Sequence, residues 1–304
     1  MKTFTLVLSG IVLSLLLPVF TPAAPAQEKS LIVGSGRSAD RIILGKLFIR
    51  LLEEKGFSCR DMTGLGSGRL VRSALLNKQI DLFPAYSGEC PVPQPARGKF
   101  GGDPKGLFET VAQRDLAANG LVWLDMMAAE KIPRLWLKPR SAKARRLSSI
   151  SDLAAFVRTR IEKPYLGLTP AFLIAPNGYR PLAQAYGLAL PGDRIIKMDR
   201  VFLYPAVIKG GVEVAVGHSI DWEPARFGLV HLNDDLGFFR PNNPSGVVRI
   251  ETARKYRDLK PILAELSKAL TPLEMADLIG LIHDGVDYDL AVELWLRGKG
   301  LVAP

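Results

Sequence analysis

Between Leu31 and Phe83 three short apolar runs alternate with two helical stripes, and this alternation restricts the fold more than any other feature of the chain. The runs at 31–33, 57–62 and 80–83 read as strands. Ile43, Leu44, Leu47, Phe48 and Leu51 recur at helical spacing after Ser38, a residue suited to cap a helix, and Gly56 stands where glycine ends one. A second amphipathic helix follows the glycine-rich run TGLGSG at Thr63. The order β-α-β-α-β predicts a parallel sheet with right-handed crossovers. Open sheets of this kind bind ligands in loops at the carboxyl ends of their strands. Two such loops are expected: the glycine run, with Gly66 and Ser67, and the loop after the third strand, with Tyr86, Ser87 and Gly88.

A second unit of the same kind begins near Leu135. Strands are expected at 135–137, 165–168, 195–198 and 212–216. Helices are expected at 152–160, capped by Ser151, at 179–186 and at 204–209. Two further strand patterns, at 230–233 and 247–250, precede a helical end. There, 252–270 reads as one helix, Thr271-Pro272-Leu273-Glu274 as the capped start of another, and 288–297 as the last. Residues 91–106, rich in proline and glycine, read as a long loop.

The first residues predict export. Lys2 gives a positive start, and Leu6 to Phe20 form an apolar run short of the about 20 residues a membrane-spanning helix needs. Ala24-Pro25-Ala26 fits a small-x-small cleavage site, so a signal peptide of residues 1–26 and a periplasmic destination are expected. Hydrophobic content of 48% is ample for a core in the remainder. The net charge is +10, with one cluster at Lys138, Arg140, Lys143, Arg145 and Arg146. Without interleaved aromatics the cluster reads as a solvated basic face, and no nucleic-acid partner is expected.

Metal and catalytic chemistry find little support. The histidines, His218, His231 and His283, are scattered, and no Cys/His spacing suits zinc; no cofactor is expected. Cys59 falls early in one strand and Cys90 beyond the end of another, which argues against their pairing in a compartment that would permit it. His218, Ser219 and Asp221 lie within four residues, whereas the members of a catalytic triad come from separate elements, and no G-x-S-x-G turn is present. Such a cluster suits a loop lining a cleft or a hinge, and an enzyme is not expected. The glycine run lacks the Gly-Lys-Ser/Thr ending of a phosphate loop. A helix N-terminus there would favour an anion; a tight strand–helix turn accounts for it equally well. Arg134 reads either as a clamp on a ligand carboxylate or as an interlobe salt bridge, and Trp136 as core.

The order of elements, the export signal and the ligand loops resemble the type II periplasmic substrate-binding proteins, in particular the quaternary-ammonium branch that serves ABC importers of glycine betaine and choline. The resemblance covers Ser30 to Leu301 and is carried by Gly34-Ser35, TGLGSG at Thr63, IDLFPAYSG at Ile80, FGLVHLNDDLGFFRPNNPSGVVR at Phe227 and HDGVDYDLAVELWLRGKGL at His283. It implies a two-lobed α/β fold, each lobe a mainly parallel sheet flanked by helices. Lobe one would be residues 27–131 plus 232–304 and lobe two 132–231, with two crossings between them. It also implies a monomer that closes on a small solute and is recognised by an ABC permease subunit. The same scaffold would also serve a sensor partner or an accessory protein of another exported system.

Members of that branch hold a trimethylammonium head in a cage of aromatic rings, through cation–π attraction. By resemblance, Tyr86 and Tyr204 match two cage tyrosines. The other two positions fall on Pro133 and His218, a basic residue after the first strand becomes Gly36, and the arginine that holds a ligand carboxylate falls on Ala175. Ala85 stands for the usual acid before Tyr86, and Glu89 for a hydroxyl residue after it. Two tyrosines of four imply weakened betaine binding, hence a betaine site of low affinity or a changed ligand. The expected ligand residues are Tyr86 and Tyr204 first, then Arg37, Gly66, Ser67, Glu89 and His218.

Overall fold

The computed structural model describes residues 29–91 and 102–303. The expected signal peptide, and most of the loop expected at 91–106, lie outside them. The chain opens with β1 (Lys29–Gly36), α1 (Ala39–Glu54), β2 (Phe57–Gly66), α2 (Gly68–Leu76), β3 (Leu82–Tyr86), α3 (Pro104–Asn119) and β4 (Leu121–Trp123). It crosses to β5 (Pro133–Leu137), α4 (Pro139–Arg145), α5 (Ile150–Thr159), β6 (Leu166–Leu168), α6 (Pro170–Ile174), α7 (Tyr179–Tyr186), β7 (Ile195–Lys197), α8 (Arg200–Lys209), β8 (Val214–His218), α9 (Trp222–Arg226) and β9 (Val230–His231). It returns through β10 (Pro244–Arg249), α10 (Ile250–Lys255), α11 (Leu259–Ala269), α12 (Pro272–His283) and α13 (Tyr288–Gly298).

The strands form two sheets, ordered β2-β1-β3-β10-β4 and β7-β6-β8-β5-β9. In the first, only β10 runs against its neighbours. In the second, only β5 does. Each sheet has its own apolar core. The stripe of α1 is fully buried at Ile43, Leu44, Leu47, Phe48 and Leu51, against the first sheet and α11 to α13. Burying each such side chain is worth about 1.5–3 kcal/mol. In the second lobe Leu135, Leu166, Leu182 and Val216 pack with Leu232 and Phe239, so the returning chain leaves this core only after Phe239.

Local expectations differ from the structure at several places, among them α8, which starts at Arg200 rather than Tyr204. Ser149, not Ser151, caps α5: its hydroxyl accepts the Asp152 N–H at 3.1 Å, and Asp152 accepts the Ser149 N–H in return, a full capping box. The single helix expected at 252–270 is two, because Tyr256 leaves the helix to pack its ring on Phe57 and donate its hydroxyl to the Ser30 carbonyl. The glycine run is not a free loop: β2 continues through it to Gly66, which pairs with Gly36. Cys59 and Cys90 form no disulfide: Cys59 lies in β2 and Cys90 follows β3, strands that stand on opposite sides of β1, and burial pushes the Cys59 thiol up to about 12.

The two crossings are joined to each other. The Lys131 N–H donates to the Asn242 carbonyl at 2.9 Å, and the Asn242 amide donates to the Lys131 carbonyl at 3.0 Å. Ser219, at the end of β8, donates through its hydroxyl to the Glu130 carbonyl at 2.6 Å and accepts the Ile132 N–H at 3.1 Å. Behind the crossings α9 meets α12: Trp222 stacks on His283 with centroids 4.3 Å apart, and Arg226 bonds both oxygens of Asp284 at 2.9 and 2.6 Å.

Candidate functional site

A cleft of about 400 Å³ opens between the sheets. The first lobe supplies Gly88 and Glu89, from the turn that follows β3. The second supplies Asn177, ahead of α7, and His218, at the carboxyl end of β8. The crossings form the remaining wall with Lys131, Pro133, Phe238, Phe239, Arg240 and Asn242. Both sheets therefore aim strand ends at one space, as open α/β sheets do at ligand sites.

Close packing fixes the first-lobe turn. Asn242 Oδ1 accepts the Gly88 N–H at 2.9 Å, and a Cβ on Gly88 would meet that oxygen at 2.9 Å and the Pro241 carbonyl at 3.0 Å. Ser87 exchanges two hydrogen bonds with Asn243, its N–H donating at 2.9 Å and its hydroxyl accepting at 3.1 Å. The turn is thus held by the second crossing rather than by its own lobe alone.

The residues expected from sequence divide into three groups. Glu89 and His218 line the cleft. Arg37, Gly66 and Ser67 lie together at the ends of β1 and β2, outside its lining: the Arg37 N–H donates to the Gly66 carbonyl at 3.0 Å, and Ser67 caps α2 by accepting the Leu70 N–H at 3.3 Å. Tyr86 and Tyr204 are sealed at 1% and 0% exposure and do not line it.

The burial of the tyrosines has a physical cause. The Tyr86 hydroxyl donates to Asp40 Oδ2 at 2.9 Å, and Lys131 binds the same oxygen at 3.1 Å. The Arg41 guanidinium lies over the Tyr86 ring, 5.1 Å from its centroid, and the Lys131 ammonium lies 5.8 Å from it. Arg41 in turn pairs with Glu89. Burial and the Asp40 charge push the Tyr86 phenol well above its usual range, so it stays a donor. Burial resists ionisation of Asp40, but the Lys131 charge and hydrogen bonds from Ser38 and Tyr86 outweigh it and hold its carboxyl below the usual range. Tyr204 donates to Asp221, which also accepts from Arg200 at 2.5 Å and from the His218 N–H at 2.7 Å. The Tyr204 hydroxyl lies where a Cβ on Gly217 would stand, 1.8 Å away.

The same packing engages the cluster around His218. Asp221 serves Tyr204, Arg200 and a backbone N–H, and Ser219 serves the first crossing, so the cluster with His218 braces the hinge. Burial lowers the His218 imidazole below its usual pKa, with Lys131 and Arg200 adding to the effect. Among the described residues no group of His, Cys, Asp and Glu is arranged to hold a metal. Arg134 pairs with Glu130 at 2.8 Å, both in the first crossing and its flank, and lines a separate rear cavity with Trp136.

Sequence reasoning missed Lys131, Asn177, Phe238, Phe239, Arg240 and Asn242. Their signal was weak because the crossings, and the turn between α6 and α7 that carries Asn177, have no periodicity. The double aromatic of GFFRPNN, inside a polar loop, was the one local hint.

The profile of the family described as substrate binding domain of ABC-type glycine betaine transport system matches residues 29–298. The glycine betaine-binding protein YehZ of Escherichia coli (strain K12) is 25% identical over 282 residues, spanning 88% of this chain and 90% of that protein. A glycine-betaine-binding protein of Pseudomonas aeruginosa is 27% identical over 257 residues, 81% of each. A solved structure titled as a glycine betaine/carnitine/choline ABC transporter superposes with a TM-score of 0.79 at 21% identity, over 89% of this chain and 99% of that one, and shares the two-lobed fold. The chain belongs to the family of substrate-binding domains of ABC-type glycine betaine transport systems.

Proposed function

We propose that this protein is exported, receives a small betaine-type zwitterion in the cleft between its lobes, and presents it as a monomer to an ABC permease subunit. The observation that carries this reading is the cleft itself, walled by strand ends of both sheets and by both crossings. A solute touching both walls binds the closed arrangement better than the open one, and only such differential affinity drives closure. Lys131 and Arg240 supply positive charge for a carboxylate, and Phe238 and Phe239 supply rings for an apolar head. The ligands of the relatives, named for glycine betaine, carry both features. Export rests on residues 1–26; among the described residues no helix is long and apolar enough to cross a membrane. The lobes are read as 27–131 plus 240–304 and 132–239, because Leu232 and Phe239 pack in the second core, with Glu89 and His218 as ligand contacts. Tyr86 and Tyr204 support the walls from behind, while Arg37, Gly66 and Ser67 belong to the rim.

Calorimetric titration of the chain from Gln27, freed of co-purified solute by unfolding and refolding, tests this. Saturable binding of glycine betaine or carnitine, with compaction in small-angle scattering, is expected. Absence of both signals in a folded protein rejects the reading.

A further inference from the structure

The basic cluster at 138–146 occupies one definite place in the fold. Leu137, the last residue of β5, pairs with Val214, the first of β8, and Leu166 and Ile195, the first residues of β6 and β7, stand in the same row. Pro133 and His218, at the other ends of β5 and β8, line the cleft. The cluster therefore leaves the second lobe at the pole facing away from the cleft. The segments leading into β6, β7 and β8 at that pole add Arg160, Lys163, Arg194 and Lys209. Their carboxylates are Glu162, Asp193, which lies 3.6 Å from Arg194, and Glu213, which lies 3.7 Å from Arg145. Among the described residues Arg140 and Lys143 pair with no carboxylate, and both are exposed. The fold also brings to the cluster the aromatic rings it lacks in sequence. Arg145 and Arg160 lie over the Phe156 ring, 5.1 and 6.0 Å from its centroid, and Arg194 lies 4.5 Å from that of Tyr165. Beside Arg160, Ile161 is 98% exposed and packs on nothing.

We propose that this pole docks on the surface of an anionic phospholipid bilayer, its lysines and arginines on the lipid phosphates and Ile161 in the headgroup layer. The proposal goes beyond the solute reading and rests only on export to a compartment bounded by such a bilayer. Each basic residue near an anionic surface strengthens partition by about fivefold, and the attraction fades within a Debye length. Arginine suits this role because its planar guanidinium matches phosphate geometry and stacks on aromatic faces. A soluble polyanion would use the charges alone, whereas a bilayer also takes up the exposed isoleucine, as interfacial surfaces do with apolar side chains flanked by cations. Docked by this pole, the protein keeps its cleft at the opposite end of the lobe, free to load. Its encounter with a permease embedded in the same bilayer is then confined to a surface.

Co-sedimentation of the chain from Gln27 with vesicles tests this, using phosphatidylcholine alone and phosphatidylcholine mixed with phosphatidylglycerol. Partition onto the anionic vesicles is expected to exceed that onto neutral ones by about tenfold or more, and to be lost on raising salt from about 0.05 to 0.5 M. The double substitution Arg140→Gln, Lys143→Gln is expected to lose about tenfold or more in partition. Ile161→Ser is expected to lose about threefold or more. All three positions are exposed, so both variants should melt with the wild type and bind solute as it does. Equal partition onto neutral and anionic vesicles overturns the proposal, as does unchanged partition of the folded double variant. Loss in the double variant with unchanged partition of Ile161→Ser overturns it too, because charge alone would then account for the binding. None of these outcomes touches the solute reading, which is decided by titration of the cleft.

Discussion

At the residue scale, Tyr204 shows how a side chain legible as a ligand residue becomes a structural one. Its hydroxyl and that of Tyr86 each end on a buried carboxylate, Asp221 and Asp40. Tyr204→Phe removes one bond from a carboxylate that keeps Arg200 and the His218 N–H. A loss of about 1–2 kcal/mol in urea unfolding is expected, with solute affinity unchanged. Gly217→Ala places a methyl on the Tyr204 hydroxyl and should cost about 3 kcal/mol or more by the same measurement. His218 gives a pH prediction. Its folded pKa is depressed by burial, which the Asp221 and Asp40 charges only partly offset, while Lys131 and Arg200 add to the depression. The unfolded chain therefore binds the proton more readily, so this stability is present above the ordinary histidine pKa of 6.5 and is lost as pH falls below it. Unfolding free energy should drop between pH 7 and 5.5 by up to about 1.4 kcal/mol per unit from this residue, and His218→Asn should flatten the slope. No alignment of apolar residues announces such pairs: they depend on which carboxylate the fold delivers.

At the scale of elements, most helices and strands were legible because their signals are local. The α1 stripe, the Thr271 cap and the bounds of α7 lie in contiguous residues. The errors came from tertiary competition. Ser149 and Ser151 are equally good caps in isolation. The backbone N–H of Ser151 goes to Asp235 at 3.2 Å, while Ser149 reaches Asp152, whose carboxyl its serine hydrogen bonds hold down at about 2. Ser149→Ala should cost about 1 kcal/mol and Ser151→Ala about 0.3 kcal/mol or less, as read by denaturant midpoints. The break at Tyr256 is likewise decided by Ser30 and Phe57, more than 190 residues away in sequence.

At the scale of the whole molecule, the lobes are joined by the paired crossings and by the α9–α12 contact. Asn242 is central to the first joint, since it ties Gly88 of one lobe to Lys131 of the crossing. Asn242→Ala should cost about 1–3 kcal/mol in stability and weaken solute binding, because the cleft turn loses its anchor. Scattering with saturating solute should still show compaction, as the backbone bond from Lys131 to Asn242 remains. The Arg226–Asp284 pair is half exposed on both sides, so its removal should change stability by less than about 1 kcal/mol.

The sequence by itself determined that two α/β units would form, and that the glycine run and the Tyr86 loop would cluster at one end of a sheet. Those properties follow from periodicity and turn chemistry, which act over a few residues. Only the tertiary structure decided what faces the cleft. The crossings brought Lys131, Phe238, Phe239 and Asn242 to it, and Arg41 and Lys131 covered the Tyr86 ring. The reason is physical: a side chain's exposure and charge partners are set by residues distant in sequence, and no local pattern records them.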